Sequence, residues 1–415
     1  GKTVSVPAGI TVVEAAKMHD IDIPVFCHHP KLEPVGMCRM CLVEIGAPMV
    51  DPKTKEVVME NGAPKIAMRP KLETACTNRV FEGMVVQTQT EKATAGQKST
   101  VEFLLTSHPL DCQVCDKGGE CPLQNLTMAH GPGKSRFIYD EKQNLDKQVP
   151  LADFRFGARP WELSAESSIC TQCPVGCNTT LNTRREAKAG GEIVVKRVMP
   201  RQNEEVNEIW LCDKGRFAYH YAESKARLTK PMMKKDGKLA RASWDATTKF
   251  AAQKFLKNKK DFVVLASGRL SNEDLFNLKS LADTVGGKAI LYSDMGGGDV
   301  TKLVGVGAGT NLSKMGAGDA IVVVASDLYE EAPIWWLRVK QPAQRGATLI
   351  VANSRGTKLD KFAKHTIRYT HGNEVKTIND LGKKGKVADE FAKAKNAIIF
   401  YGSDGLGVNG TSALA

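Results

Sequence analysis

Gly36-Met37-Cys38-Arg39-Met40-Cys41-Leu42-Val43-Glu44-Ile45 carries a glycine-containing cysteine loop straight into an apolar segment that reads as a strand. Upstream, Thr3-Val4-Ser5-Val6-Pro7 reads as a strand and Ala8-Gly9 as a turn. Thr11 then reads as the N-cap of a helix over Val12 to Met18, with apolar residues on one face. Ten residues separate Cys27 from Cys38, and 34 separate Cys41 from Cys76. Working outward, all eleven cysteines of the 415-residue chain fall from Cys27 to Cys212, and the 203 residues that follow have none. The number is odd, the chain is large, and its opening Gly1-Lys2-Thr3-Val4 shows no apolar export segment. Thiolate ligands in a reducing compartment are therefore expected rather than a disulfide framework. The absent initiator methionine suggests a short piece in front, one strand long.

The cysteines and one histidine sort into three sets. In the first (Cys27, Cys38, Cys41, Cys76), strand, turn, helix and cysteine loop match a ferredoxin-type β-grasp fold around a 2Fe–2S cluster. The plant-type pattern places four residues before its Cys-x-x-Cys and this chain places ten, so it is a variant. Small loop residues let backbone N–H groups point at the sulfurs. A zinc ribbon would want two Cys-x-x-Cys knuckles, and this set has one.

The second set is His108, Cys112, Cys115 and Cys121, with Gly118-Gly119 inside the loop for close backbone approach. Three thiolates and an imidazole suit a 4Fe–4S cluster of altered potential, while zinc held by the same four is the competing reading. The third set is Cys170, Cys173, Cys177 and, after 34 intervening residues, Cys212. A close triplet with a distant fourth ligand is a 4Fe–4S pattern more than a zinc one. Lys214 and Arg216 would compensate cluster charge there. The remaining histidines show no ligand-like spacing.

Apolar residues make up 42 % and charged residues 25 %, which fits a folded protein of two to four domains. No stretch approaches the run of about 20 apolar residues that a membrane span needs. Lys and Arg (58) outnumber Asp and Glu (46), giving +12. The excess is spread along the chain without a dense basic arm, which argues for a solvated surface or an acidic protein partner and against nucleic acid.

Beyond Trp244 short apolar runs alternate with helical stretches. Phe262-Val263-Val264-Leu265-Ala266, Ala289-Ile290-Leu291, Ala320-Ile321-Val322-Val323-Val324, Leu349-Ile350-Val351-Ala352 and Ala397-Ile398-Ile399-Phe400 read as parallel strands buried on both faces. Helices are predicted over Asn272–Val285 and 332–344, so this is a doubly wound α/β domain. Gly305-Val306-Gly307-Ala308-Gly309 lacks dinucleotide-fingerprint spacing and reads as a loop. Ser326-Asp327 reads as a helix N-cap at the carboxyl end of a strand, and Trp335 and Trp336 as core. The glycine-rich stretch from Gly405 looks like a domain cut short.

The order of the three sets, with Cys112-Gln113-Val114-Cys115-Asp116-Lys117-Gly118-Gly119-Glu120-Cys121 in the middle, resembles the large iron–sulfur subunit family of respiratory complex I. Ala158-Arg159-Pro160-Trp161-Glu162-Leu163 and Glu330-Glu331-Ala332-Pro333-Ile334 are similar to that family too. The resemblance implies a 2Fe–2S cluster on Cys27, Cys38, Cys41 and Cys76. It implies a 4Fe–4S cluster on His108, Cys112, Cys115 and Cys121, and another on Cys170, Cys173, Cys177 and Cys212. It implies four domains: a 2Fe–2S ferredoxin-like domain (1–90), a His/Cys-ligated 4Fe–4S module (91–154), a 4Fe–4S domain of molybdopterin-oxidoreductase type (155–228), and a molybdopterin-oxidoreductase-like α/β domain (229–415).

The function so implied is electron relay within NADH:quinone oxidoreductase, from flavin toward quinone, with no substrate chemistry in this chain. Implied partners are the flavin/NADH-binding subunit and quinone-side iron–sulfur subunits. The membrane would be met only through partners, at the cytoplasmic face of a bacterial inner membrane. A relay or catalytic subunit of an NAD-linked formate dehydrogenase or hydrogenase is the alternative, and a zinc-stabilised interaction protein a third. The family also has a 4Fe–4S cluster between the second and third sets, but its cysteines are absent here, and residues 149–160 read like a join across a missing piece. No cysteine follows Cys212, so no molybdenum cofactor is expected.

Overall fold

Thr11 and Glu14 start the first helix by reciprocal capping: the Thr11 N–H donates to the Glu14 carboxylate at 2.7 Å, and the Glu14 N–H to the Thr11 hydroxyl at 3.3 Å. The helix Val12–Met18 follows as the spacing predicts, burying Val12, Val13, Ala15 and Ala16. The computed structural model describes the chain except residues 109–111, 114, 135, 137–156, 293–295, 305–310, 384 and 405, and the side chains of 260, 301, 302, 304, 407 and 408. The loop expected at 305–309, the join at 149–156 and Gly405 thus lie wholly or largely outside the described residues. The chain divides into two compact units, Gly1–Leu163 and Ser164–Ala415.

In the first unit, β1 (Leu42–Pro48) is followed by a hairpin of β2 (Met59–Glu60) and β3 (Ala63–Pro64), then β4 (Ile66–Met68), β5 (Glu73–Thr74) and β6 (Val85–Gln87). β1 pairs antiparallel with β4, β5 and β6, so every sheet contact of this unit outside the hairpin passes through it. Its inward side chains Val43 and Ile45 pack with Val12, Val13, Ala16 and Ile23 and with Cys41 and Cys76. The strand expected over Thr3-Val4-Ser5-Val6-Pro7 does not form, and Val4 is exposed. A strand exists through its ladder partners, and pairing here begins only at Ile10, whose carbonyl accepts from the Val80 N–H, and at Thr11, bridged to Arg79.

Gly46 lies where β1 meets β4, and a Cβ there would come 2.9 Å from Ile66 Cγ2 and 3.0 Å from the Ala67 carbonyl oxygen. Gly46→Ala is expected to destabilise the first unit by about 1–3 kcal/mol, because neighbouring backbone cannot yield as a flexible side chain can. Thermal melts should show the earlier transition in this unit alone.

The second unit opens with an antiparallel sheet of β7 (Ser164–Ile169), β8 (Asn178–Glu186) and β9 (Glu192–Pro200). A hairpin of β10 (Met232–Lys235) and β11 (Lys238–Arg241) leads to β12 (Val263–Ser267), β13 (Lys288–Tyr292), β14 (Ala320–Val324), β15 (Thr348–Ala352), β16 (His365–Ile367) and β17 (Ala397–Tyr401). The helices Asn272–Val285 and Pro333–Gln344 form as expected. β16, β15, β14 and β17 make a parallel sheet in that order, so the chain changes direction across the sheet at β14.

Two details differ from the sequence reading. The first two apolar runs form a separate parallel pair, β12 with β13, instead of joining the main sheet. Nor are they buried on both faces: Leu265 is 70 % and Tyr292 81 % exposed. The helix Asn272–Val285 packs against both strands, burying Ala282 and Val285. Apolar composition specifies a strand, not how many of its faces are covered; only β14 and β15 are nearly continuous in burial.

Candidate metal centres

Burial differs within the first set. Cys41 and Cys76 are 1 % exposed in the core beneath β1, whereas Cys27 and Cys38 are half-buried in the loops above. The latter two exchange backbone donors: the Cys27 N–H lies 3.4 Å from Cys38 Sγ and the Cys38 N–H 3.5 Å from Cys27 Sγ. Met40 adds a second N–H to Cys38 Sγ at 3.4 Å. Two positive φ values bend this loop, Gly36 at 62° and Arg39 at 63°. Gly36 is needed twice over, since a Cβ there would also sit 2.8 Å from Thr77 Cγ2.

The thiols respond to these surroundings. Burial pushes Cys41 up to about 12; the Cys76 N–H opposes this and the Cys76 thiol adds to it. Burial also raises Cys38. At Cys27 burial acts upward as well, but the N–H and thiol donors of Cys38 outweigh it and the thiol lies below its usual value. The set therefore resolves into two adjacent pairs, Cys27 with Cys38 and Cys41 with Cys76.

In the second set, His108 follows the helix Glu91–Thr106 and its N–H reaches the Leu105 carbonyl at 3.4 Å. Cys112 is exposed, while Cys115 and Cys121 are half-buried. Cys115 Sγ accepts from the Lys117 N–H at 3.4 Å, and Cys121 immediately precedes the helix Pro122–His130. Arg159, which cysteine spacing does not single out as a site residue, reaches into this loop from 44 residues beyond Cys115. No local pattern could have signalled it.

The third set is drawn from two segments. Cys170–Cys177 is the turn between β7 and β8, closed by the Cys170 N–H on the Cys177 carbonyl at 2.8 Å. Cys212 returns beside it as the N-cap of the short helix Asp213–Phe217. Cys177, 2 % exposed, packs in the core with Ile321, Val323 and Leu328. Burial pushes it up to about 12, reinforced by Cys173, Cys170 and Cys212. Gly215 lies so near that a Cβ there would be 3.1 Å from Cys170 Sγ. Lys214 acts downward on Cys173 and donates to the Glu330 carbonyl at 2.5 Å.

Among the described residues no three of His, Cys, Asp and Glu converge closely enough to hold a single metal ion. The donor chemistry nevertheless fits iron–sulfur clusters: soft thiols such as Cys41 and Cys177, raised by burial and by neighbouring thiols, become favourable as thiolates only beside concentrated positive charge. The carboxyl edge of the main sheet does not fit an anionic pterin cofactor. Arg355 there is paired with Asp327 at 2.9 Å and Asp404 at 3.2 Å, and Asn353 is fully buried against Ser326 and Asp404. An incoming phosphate would meet two carboxylates and a guanidinium already engaged by both. Asp327 also caps the following helix through the Tyr329 N–H, as its position predicts.

Four family models cover the chain. Residues 1–91 match the 2Fe-2S iron-sulfur cluster binding domain, and 97–136 the NADH-ubiquinone oxidoreductase-G iron-sulfur binding region. Residues 165–220 match the NADH-ubiquinone oxidoreductase NDSU1/NuoG-like 4Fe-4S domain, and 227–412 molybdopterin oxidoreductase. The NADH-quinone oxidoreductase G-subunit of Streptomyces coelicolor is 30 % identical, over 97 % of this chain and 56 % of its own length. The chain is similar to the large iron–sulfur subunits of NADH–quinone oxidoreductases.

The G-subunit 2 of the Rhizobium meliloti enzyme is 28 % identical over 97 % of this chain and 54 % of its own. Subunit 3 of the Thermus thermophilus enzyme is 32 % identical over 59 % and 40 %. The chain thus spans about half the length of the curated relatives it matches. The Streptomyces alignment runs over 505 positions although this chain has 415 residues, so that relative carries stretches with no counterpart here. The three iron–sulfur family models cover every residue of the three ligand sets.

Proposed function

We propose that this chain is an electron-relay subunit in the peripheral arm of an NADH–quinone oxidoreductase. The observation that carries this reading is the third set, in which four thiols from two separate segments are brought together against a dry core. Cys27, Cys38, Cys41 and Cys76 would hold a 2Fe–2S cluster. His108, Cys112, Cys115 and Cys121 would hold one 4Fe–4S cluster, and Cys170, Cys173, Cys177 and Cys212 the other. Such clusters, when bound, supply one-electron redox chemistry.

The chain's own residues do the rest. Val43, Ile45 and Val12 keep water from Cys41 and Cys76. The N–H groups of Cys27, Cys38, Met40 and Lys117 donate to sulfur, which favours the more negative, reduced state. Lys214 places a cation beside Cys173. Partners would be a flavin-bearing, NADH-oxidising subunit on one side and quinone-side iron–sulfur subunits on the other. The +12 charge suits acidic partner surfaces. Among the described residues no helix is long and apolar enough to cross a membrane, and association with the cytoplasmic face would run through partners.

Iron and acid-labile sulfide analysis, combined with EPR of the dithionite-reduced protein, tests the reading. About ten irons per chain, with one 2Fe–2S and two 4Fe–4S signals, are expected. Stoichiometric zinc in an iron-free, colourless protein would refute it, and stoichiometric molybdenum would favour a catalytic role.

A further inference from the structure

We infer that Arg159 is a positioning residue for the second ligand set, clamping the loop that carries Cys112 and Cys115 and raising the reduction potential of the cluster held there. This rests on the reading of that set as a cluster site. The guanidinium donates to three backbone carbonyls of the loop. Nη1 and Nη2 each lie 3.2 Å from the Cys112 oxygen, Nη1 also donates to the Cys115 oxygen, and Nη2 to the Gln113 oxygen. One side chain, 44 to 47 residues away in sequence, thus fixes the loop at both cysteines and between them.

Arg159 is itself held in place. Its N–H donates to Glu162 Oε2 at 2.8 Å, and its guanidinium carbon stands 5.3 Å from the centre of the Trp161 ring. The loop is shaped to receive this segment. A Cβ on Gly118 would lie 2.7 Å from Arg159 Nη1, and one on Gly119 would lie 2.8 Å from Trp161 Cζ3. The Gly118-Gly119 pair therefore admits the close approach of Arg159 and Trp161, a second use for glycines whose local pattern speaks only of the loop itself.

Two consequences follow for the bound group. A trans peptide points its N–H opposite to its C=O, so pinning the Cys112 and Cys115 carbonyls to one guanidinium turns the Gln113 and Asp116 N–H groups away from it. The loop then keeps a fixed set of donors, of which the Lys117 N–H on Cys115 Sγ is one. The guanidinium also brings a positive charge to the loop, and a fixed cation favours the state with the extra electron.

The test is EPR-monitored redox titration of the holoprotein as wild type, Arg159→Met and Arg159→Lys. A wild type with no second-set signal would overturn the cluster reading itself, separately from this inference. In Arg159→Met the second-set midpoint is expected to shift negative and its lines to broaden, or that signal alone to be lost, with the first and third sets unmoved. Arg159→Lys restores a charge but not the fork, so part of the midpoint should return while the lines stay broad. An unchanged second-set signal, or equal change at all three sets, overturns the inference. Should Arg159→Met yield no folded protein, Gly118→Ala decides in the same way, since it displaces the guanidinium without removing it.

Discussion

Arg338→Met is expected to destabilise the second unit by about 3–5 kcal/mol, a large part of the stability of an ordinary domain. Arg338 is 1 % exposed and lies 3.6 Å from the equally buried Glu208. It also donates to the Glu204 carbonyl, to Asn311 Oδ1 and to Ser313 Oγ, each at 2.9 Å. Methionine fills much of the volume but withdraws a guanidinium from a buried carboxylate and strips three acceptors of a donor. Adding Glu208→Met to Arg338→Met should recover part of the loss, because the buried negative charge goes with it. Thermal melts of the two variants check both statements; a single variant as stable as wild type would show that Arg338 is dispensable. The effect should also reach the third set, since Glu208 precedes Cys212 by four residues on the segment that Arg338 tethers.

Cys177→Ser is expected to remove one 4Fe–4S cluster, about four irons per chain, and to lower the melting temperature of the second unit. Cys177 packs with Ile321, Val323, Leu328 and Val351, so the group it would hold shares a wall with the main sheet. Cluster binding there would be folding free energy for the whole unit. Cys112→Ser supplies the contrast, because Cys112 is exposed and belongs to the other unit. It should cost the same iron but leave the second unit's melt in place. Iron assay and calorimetry on the two variants distinguish local from unit-wide dependence; equal melts of the second unit in both would sink the argument.

Local chemistry was legible before the structure. Thr11, the helix Asn272–Val285 and β14 fall where capping and apolar runs place them. These signals are short-range and carry their own cause. The failures share a different origin. Thr3 to Pro7 has strand composition without a ladder partner, and β12 and β13 have core composition on a half-covered sheet. β16, three residues long, has too little periodicity to register. The proposed ligand sets come from cysteine spacing, which is a local code. The roles of Arg159 and Arg338 were not legible, because each acts through partners 25 to 134 residues away, and nothing in a lone arginine announces a distant carbonyl.

The unequal depth of the sulfurs gives attack by oxidants a point of entry. Cys41, Cys76 and Cys177 are screened by aliphatic side chains, whereas Cys112 faces solvent. Superoxide or peroxide arriving from bulk water meets the histidine-bearing set first, and corrosion should begin there while the other two remain intact.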